Sequence, residues 1–212
     1  MKNFRFLFSI GSLLSALLFL ACNGKQVTEV NAAQSTLDGV ELASNTITFP
    51  QGATPVAFSE VASSTHDHIN NLVKSYDQIK DALVNAKFEE AKAASEKIVS
   101  EIKDFNSKKD LNEEQDEMYL KVGAKLKNNA ERIQKSKDLK EQRTHFSALT
   151  SDLYRLIKAF GGNEQDLYYQ YCPMAFNDKG GYWLSLDEEI ENPYFGDKML
   201  RCGVVRETIE KE

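Results

Sequence analysis

From Ser63 to Phe160, apolar side chains recur at spacings of three and four residues, interrupted by three short polar breaks. Ile69, Leu72, Val73, Tyr76, Ile79 and Leu83 make the first stripe, one face of a helix whose start Ser64 or Thr65 can cap. "VNAKFEEA" turns the chain into a second stripe of Phe88, Ala91, Ala94 or Ser95, Ile98, Ile102 and Phe105. "NSKKDLN" breaks that stripe, and Asn112 with Gln115 three residues on has the form of a capping box. Met118, Tyr119, Val122, Leu126, Ala130 and Ile133 follow; after "KSKD" come Leu139, Phe146, Leu149, Leu153, Leu156, Ile157 and Phe160. The last stripe stops at Gly161-Gly162, residues suited to the left-handed turn that ends a helix. No proline lies between Pro55 and Pro173. The pattern predicts a mainly α fold, an up-down four-helix bundle. Charged pairs such as Glu89, Glu90, Lys92, Glu96 and Lys97 read as solvated helix faces.

The texture changes on both sides of the helices. Residues 160–202 hold nine of the 21 aromatic side chains, together with Pro173, Pro193 and turn-forming runs such as "NDKGG" and "ENPYFGD". They predict a compact, loop-rich aromatic C-terminal segment (160–205) with short strands at most, folded back on the helices. The whole folded part is expected to span 63–209. Residues 22–62 are rich in Ser, Thr, Ala, Gln, Gly and Asn and contain Pro50 and Pro55. They read as a flexible tether, within which "TITF" alternates like a short strand.

Lys2 and Arg5, an apolar run over 6–20 and the sequence "FLAC" have the form of a secretory leader over residues 1–21. Cys22 stands where a bacterial lipobox places the acylated cysteine, although Phe19 replaces the usual leucine. The run is too short to favour a membrane-spanning helix of ~20 residues. The expectation is an exported lipoprotein held on its membrane, such as the outer membrane, through a lipid on Cys22, with its domain in the periplasm. Removal of the leader leaves 24 basic against 32 acidic side chains, a formal charge of −8. That balance, without a basic cluster, argues against a nucleic-acid partner. There is no nucleophile elbow, phosphate-binding glycine loop or His-Glu-x-x-His helix, so no catalytic residue is assigned and the chain does not read as an enzyme. "DKGGYW" lacks the strand-to-helix context of a phosphate loop, and the run Asp187, Glu188, Glu189, Glu191 reads as a solvated turn.

The chemistry left to explain lies in two mirrored elements, Cys172-Pro173-Met174 and Met199-x-x-Cys202. Thiolate and thioether sulfurs are soft ligands that select Cu(I), and by the same softness Ag(I). Met-x-x-Cys puts both sulfurs on one side of a helical turn, and Pro173 fixes the backbone beside Cys172. The competing reading is a disulfide, since Cys172 and Cys202 are the cysteines left once Cys22 is acylated and the compartment is oxidising. Such a bridge would close a 31-residue loop, for which chain entropy gives roughly 3–4 kcal/mol. The residues leave both readings open, including a pair that oxidation closes and reduction opens. "THDHIN" offers a weaker second metal site, His66 and His68, for Cu(II) or Zn(II), against the alternative of a solvated helix N-terminus. His145 reads as a bundle-edge residue and Arg143 as the partner of a carboxylate.

The stretch "YYQYCPMAFNDKGGYWLSLDEEIENPYFGDKMLRCGVVRETI", preceded by "QRTHFSALTSDLYRLIKAFG", resembles the family filed as domain of unknown function 3347. The resemblance covers roughly residues 65–209, specific at the C-terminal end and diffuse over the first three helices. Domains of that family occur alone in exported lipoproteins, fused to periplasmic adaptor subunits of copper and silver efflux pumps, and beside heavy-metal-associated domains. The resemblance therefore implies a periplasmic module that buffers Cu(I) or Ag(I) or hands it to a heavy-metal efflux adaptor. Cys172, Met174, Met199 and Cys202 match the family's Cys-Pro-Met and Met-Leu-x-Cys-Gly elements and carry over as its metal ligands. Trp183 lies in its "YWLS" element, as a core anchor or a cover over the ion. Tyr171 stands where some members have histidine, which argues against a nitrogen ligand there. A non-metal envelope lipoprotein, stapled by Cys172–Cys202 and docking another protein through its aromatic face, is the alternative.

Overall fold

The structure, a computed structural model, describes residues 57–211. The leader, Cys22, "TITF" and most of the expected tether lie outside the described residues.

Four long helices follow the four stripes: α1 (Ser63–Val84), α2 (Phe88–Asp104), α4 (Glu113–Lys135) and α5 (Leu139–Phe160). The stripes are the buried faces, with Ile69, Leu72, Ile79, Leu83, Ile98, Leu126, Ile133, Phe146, Leu149, Leu153 and Leu156 fully inside. α1 packs against α2 and α5, and α4 packs against the same two. Asn112 and Gln115 form the expected capping box at the start of α4: Gln115 N–H donates to Asn112 Oδ1 at 3.0 Å, and Asn112 N–H to Gln115 Oε1 at 3.1 Å. Asp138 caps α5 by accepting from Glu141 N–H at 2.8 Å.

Three details depart from the sequence reading. α1 begins at Ser63 behind Ala62, with no side-chain cap, and Thr65 is buried inside the helix. The break "NSKKDLN" contains a one-turn helix, α3 (Ser107–Asp110). Gly162 does more than end α5. At φ +89° it lies so close to α1 that a Cβ there would sit 2.8 Å from His66 Cα.

The C-terminal segment holds three short strands, within the expectation, and joins them into a sheet. β1 (Leu167–Cys172), β2 (Gly181–Ser185) and β3 (Val204–Ile209) form an antiparallel sheet in the order β2-β1-β3. β1 and β2 hide from a period-two reading because they are buried almost throughout. In "LYYQYC" and "GYWLS" most residues are buried, so no polar face alternates with an apolar one. The register pairs Cys172 with Gly181, Gln170 with Trp183 and Tyr171 with both Tyr182 and Val204. An extra residue in β3 bulges the ladder opposite Tyr169 and Gln170.

Polar side chains of α1 and α5 dock this sheet. Tyr76 Oη accepts Leu184 N–H at 3.1 Å and pairs with Thr150 Oγ1 at 2.7 Å. Lys80, only 2% exposed, reaches Ser185 Oγ at 3.4 Å, with Asp77 and Asp81 carboxylate oxygens at 2.9 and 3.0 Å. Arg143 does not pair with a carboxylate: its Nε donates to the Pro193 carbonyl at 2.8 Å and its Nη2 to the Leu83 carbonyl at 3.0 Å. It ties the C-terminal segment to the end of α1. A row of Tyr154, Tyr169, Tyr182 and Tyr171, with centroids 4.4–4.8 Å apart, the first three stacked and the last tilted, runs from α5 across the sheet.

Candidate functional site

Cys172 ends the central strand and is fully buried. Alternation along β1 puts it on the same face as Gln170, whose partner across the ladder is Trp183. The loop 186–203 passes over Trp183 and returns as β3. Two buried amides hold that loop. Gln170 Nε2 donates to the carbonyls of Asp187 and Glu188 at 3.0 and 3.1 Å, fixing its beginning. Asn192, with no exposed surface, fixes its end: its N–H donates to the Leu200 carbonyl at 2.9 Å and its Nδ2 to the Cys202 carbonyl at 2.7 Å. Its Oδ1 accepts Tyr194 N–H at 2.8 Å. The acidic side chains Asp187, Glu188 and Glu189 are exposed, as expected of a solvated turn, and Arg201 meets Glu189 at 2.6 Å.

The loop can settle this deeply because residue 203 is glycine. A Cβ there would lie 2.7 Å from Trp183 Cη2, 3.1 Å from Ile190 Cγ2 and 3.2 Å from the Tyr171 carbonyl. Cys202 is thereby set beside Cys172, with the two sulfurs 3.1 Å apart and both thiols free. Cys202 is half-buried where Cys172 has no exposed surface. A hydrogen bond to Cys172 that holds the Cys202 proton, then loss of solvent, pushes the Cys202 thiol pKa up. Tyr194 borders the pair: its hydroxyl donates to the Tyr182 carbonyl, its ring meets Trp183 edge-on at 6.0 Å, and burial raises its pKa.

The flanking methionines differ in exposure. Met174 is 46% exposed in the turn after β1. That turn runs into α6 (Ala175–Asp178), where Phe176, Asn177 and Asp178 all have positive φ, a single left-handed turn that is costly for a non-glycine chain. Met199 is half-buried at the end of a 3-10 turn over Gly196–Lys198, and its carbonyl accepts Cys202 N–H at 3.0 Å. Met199 and Cys202 are thus joined by a tight turn after the 3-10 helix, rather than by an α-helical one. The structure brings the two cysteines together and places each methionine in the turn next to its cysteine.

His66 and His68 belong to another part of the fold and face different surroundings. His68 is buried, stacked on Phe105 with centroids 4.1 Å apart, and its Nε2 shares a 2.8 Å hydrogen bond with Tyr119 Oη. Its Nδ1 faces the Glu101 carboxylate at 3.9 Å. Burial lowers its pKa to about 4. His66 is half-buried and lines an open cavity of about 610 Å³ with Phe58, Lys158 and Gly161. A ring engaged on both sides is a poor metal ligand, so the geometry offers no support for a His66–His68 pair. His145 is half-buried on α5, with its pKa lowered by burial. Among the described residues no cluster of three or more His, Cys, Asp or Glu is arranged to hold a metal ion. No helix among them is long and apolar enough to cross a membrane.

The residues that sequence reasoning missed are Gln170, Asn192, Tyr194 and Gly203. Asn192-Pro193 reads locally as turn chemistry, and only the fold shows the Asn192 side chain turned inward onto Cys202. No curated protein and no solved structure matches the chain. The family match lies over the helices, from Leu72 to Gln165, rather than over the Cys/Met segment that carries the resemblance in the sequence. Residues 72–165 match the family described as Protein of unknown function (DUF3347).

Proposed function

We propose that this protein is a lipid-anchored periplasmic domain that binds Cu(I) or Ag(I) through Cys172 and Cys202, and buffers the ion or hands it to an efflux adaptor. The observation that carries the reading is the pair of free thiols with sulfurs 3.1 Å apart, one buried and one half-open. Two metal–sulfur bonds of about 2.3 Å each, at a trigonal or near-linear ion, hold their sulfurs roughly 4.0–4.6 Å apart, so one soft ion fits once the pair opens by about 1 Å on the Cys202 side. Met174 and Met199 act as weaker ligands in this scheme, each carried on a turn next to a cysteine. The surroundings suit ion exchange, because Trp183 and Tyr194 give one dry wall while Cys202 keeps the side through which a ligand can enter. The long helices serve as the scaffold. We read them as an up-down four-helix bundle, a reading supported by the pairwise packing of α1, α2, α4 and α5. The role is binding rather than catalysis. Lipidation at Cys22 and export rest on the leader pattern.

The test is an anaerobic titration of the reduced full-length protein with Cu(I) against a chromophoric chelator. One-to-one binding that disappears in Cys172→Ser and in Cys202→Ser is expected. A folded, reduced protein that leaves all the Cu(I) on the chelator sinks the metal reading. Affinity should rise with pH, since both thiols must lose their protons and the Cys202 proton is held more tightly than usual. The double change of Met174 and Met199 to Leu should weaken binding without unfolding the protein; unchanged affinity removes the methionines from the site.

One observation favours a second reading, a stapled non-metal lipoprotein. The same 3.1 Å approach places the thiols where oxidation joins them. A thiol count on protein taken from the periplasm separates the two, because a permanent staple shows no free thiols.

A further inference from the structure

We infer that Cys172 and Cys202 form a redox-active dithiol with divided roles, in which Cys202 exchanges with an external disulfide and Cys172 resolves the mixed disulfide, held in register by Asn192. This uses the same two thiols as the proposed metal site but needs no ion, so it stands or falls separately.

The roles follow from burial. An external disulfide can approach Cys202, which keeps part of its surface open, and cannot approach Cys172, which has no exposed surface. Cys172 can reach one sulfur, that of Cys202 at 3.1 Å. In the first step the Cys202 thiolate attacks the external disulfide R–S–S–R, forming Cys202–S–S–R and expelling one RS⁻. In the second, the Cys172 thiolate attacks the Cys202 sulfur and expels the other RS⁻. The two cysteines lose two protons and two electrons, and the disulfide oxidant is reduced to two thiols. The oxidant's class is a small-molecule or protein disulfide.

The second step needs the sulfurs held close, and no Cys-x-x-Cys motif does that here. The contact spans 30 residues and depends on where the loop ends. Asn192 sets that end: its Nδ2 holds the Cys202 carbonyl at 2.7 Å, and its N–H holds the Leu200 carbonyl at 2.9 Å. Gly203, pressed on Trp183, leaves the loop no deeper position. Asn192 is therefore a positioning residue that acts through Cys202.

The experiment mixes metal-free, reduced full-length protein, with Cys22→Ser in every sample so that Cys172 and Cys202 are the thiols tested, with the aromatic disulfide dithiobisnitrobenzoate and follows released thionitrobenzoate, with mass spectrometry at the end point. The wild type should release two equivalents, retain no adduct and finish two hydrogens lighter. Cys172→Ser should release one equivalent and keep the adduct on Cys202. Cys202→Ser should react at least about tenfold more slowly, because its remaining thiol is buried. Asn192→Ser should leave the first release unchanged and slow the second by at least about tenfold. Wild-type protein that retains two adducts, or equal rates for the two cysteine variants, overturns the division of roles. An unchanged second step in Asn192→Ser overturns the clasp, and the two cysteine variants still decide the roles if that variant fails to fold. Failure here with tight Cu(I) binding leaves the metal reading standing, and the reverse pattern sinks the metal reading alone.

Discussion

His68 is a base kept neutral by its surroundings, and that makes it a measurable acid liability. It is 5% exposed, sandwiched against Phe105 and hydrogen-bonded to Tyr119. Its pKa falls from 6.5 to about 4 because burial penalises the imidazolium, and the Glu101 carboxylate at 3.9 Å does not offset that loss of solvent. The unfolded chain therefore binds this proton below pH 6.5, while the folded protein waits until about pH 4. Stability from this group is present above pH 6.5 and is lost as the pH falls towards 4. Integrating that difference from pH 7 to pH 4.5 gives a loss of about 2 kcal/mol, a large part of a domain's stability. The assay is urea unfolding at pH 7, 5.5 and 4.5, followed by the fluorescence of Trp183, the chain's single tryptophan. His68→Gln keeps a hydrogen-bonding group for Tyr119 and cannot titrate. Its stability should be lower at pH 7, for lost ring stacking, but its decline towards pH 4.5 should be shallower than wild type by about 2 kcal/mol. Carboxylates titrate in both proteins and cancel in the difference. Parallel pH profiles for the two would refute the argument and mean that the buried ring protonates near its ordinary value.

Three further outcomes are expected. Lys80→Ala should cost about 3–5 kcal/mol in urea unfolding, since it strands Asp77 in the interior and removes a tie to β2; the loss should shrink when Asp77→Leu is added. Gly203→Ala should lift the loop from Trp183, shift the tryptophan emission to the red and lower stability by about 1–3 kcal/mol, whereas an unshifted spectrum contradicts the packing described for residue 203. Oxidation of Cys172 and Cys202 should raise the stability of the full chain by roughly 3–4 kcal/mol through its 31-residue loop, which a comparison of melts with and without reductant reads directly.

The helices were legible because their stripes are long and each is buried on one face. Ile69 through Leu83 and Met118 through Ile133 fall where the 3.6-residue period puts them, and Asn112 with Gln115 announces its own cap. Local pattern carries no trace of the docking residues. Lys80 reads as a surface charge until the sheet covers it, and Arg143 as half of a salt bridge until two carbonyls appear beside it. Short strands were expected after α5, but their positions and pairing were not legible, because Leu167–Cys172 and Gly181–Ser185 are mostly buried and alternation is lost. The thiol pair was legible only as two mirrored elements. Their contact depends on Asn192, Gln170 and Gly203, whose roles exist only once the chain is folded.

The family match and the thiol pair occupy different parts of the chain, and this decides what each can say. The match runs over α1 to α5 and stops before β1. It speaks for the helical scaffold, and a scaffold hosts many functions. The pair sits on a sheet that the scaffold grips through Tyr76, Lys80 and Arg143. Arg143 binds the carbonyl of Pro193, next to Asn192, and Asn192 binds the carbonyl of Cys202. Hydrogen bonds linked through the Asn192–Pro193 peptide thus run from the end of α1 to the backbone of Cys202. If these bonds carry the load, Arg143→Lys, which cannot reach both carbonyls, should slow closure of the thiol pair while leaving the helices folded. Far-ultraviolet circular dichroism matching wild type, with a slower second release of thionitrobenzoate, is the expected result. Unaltered closure would confine the control of the site to the loop itself.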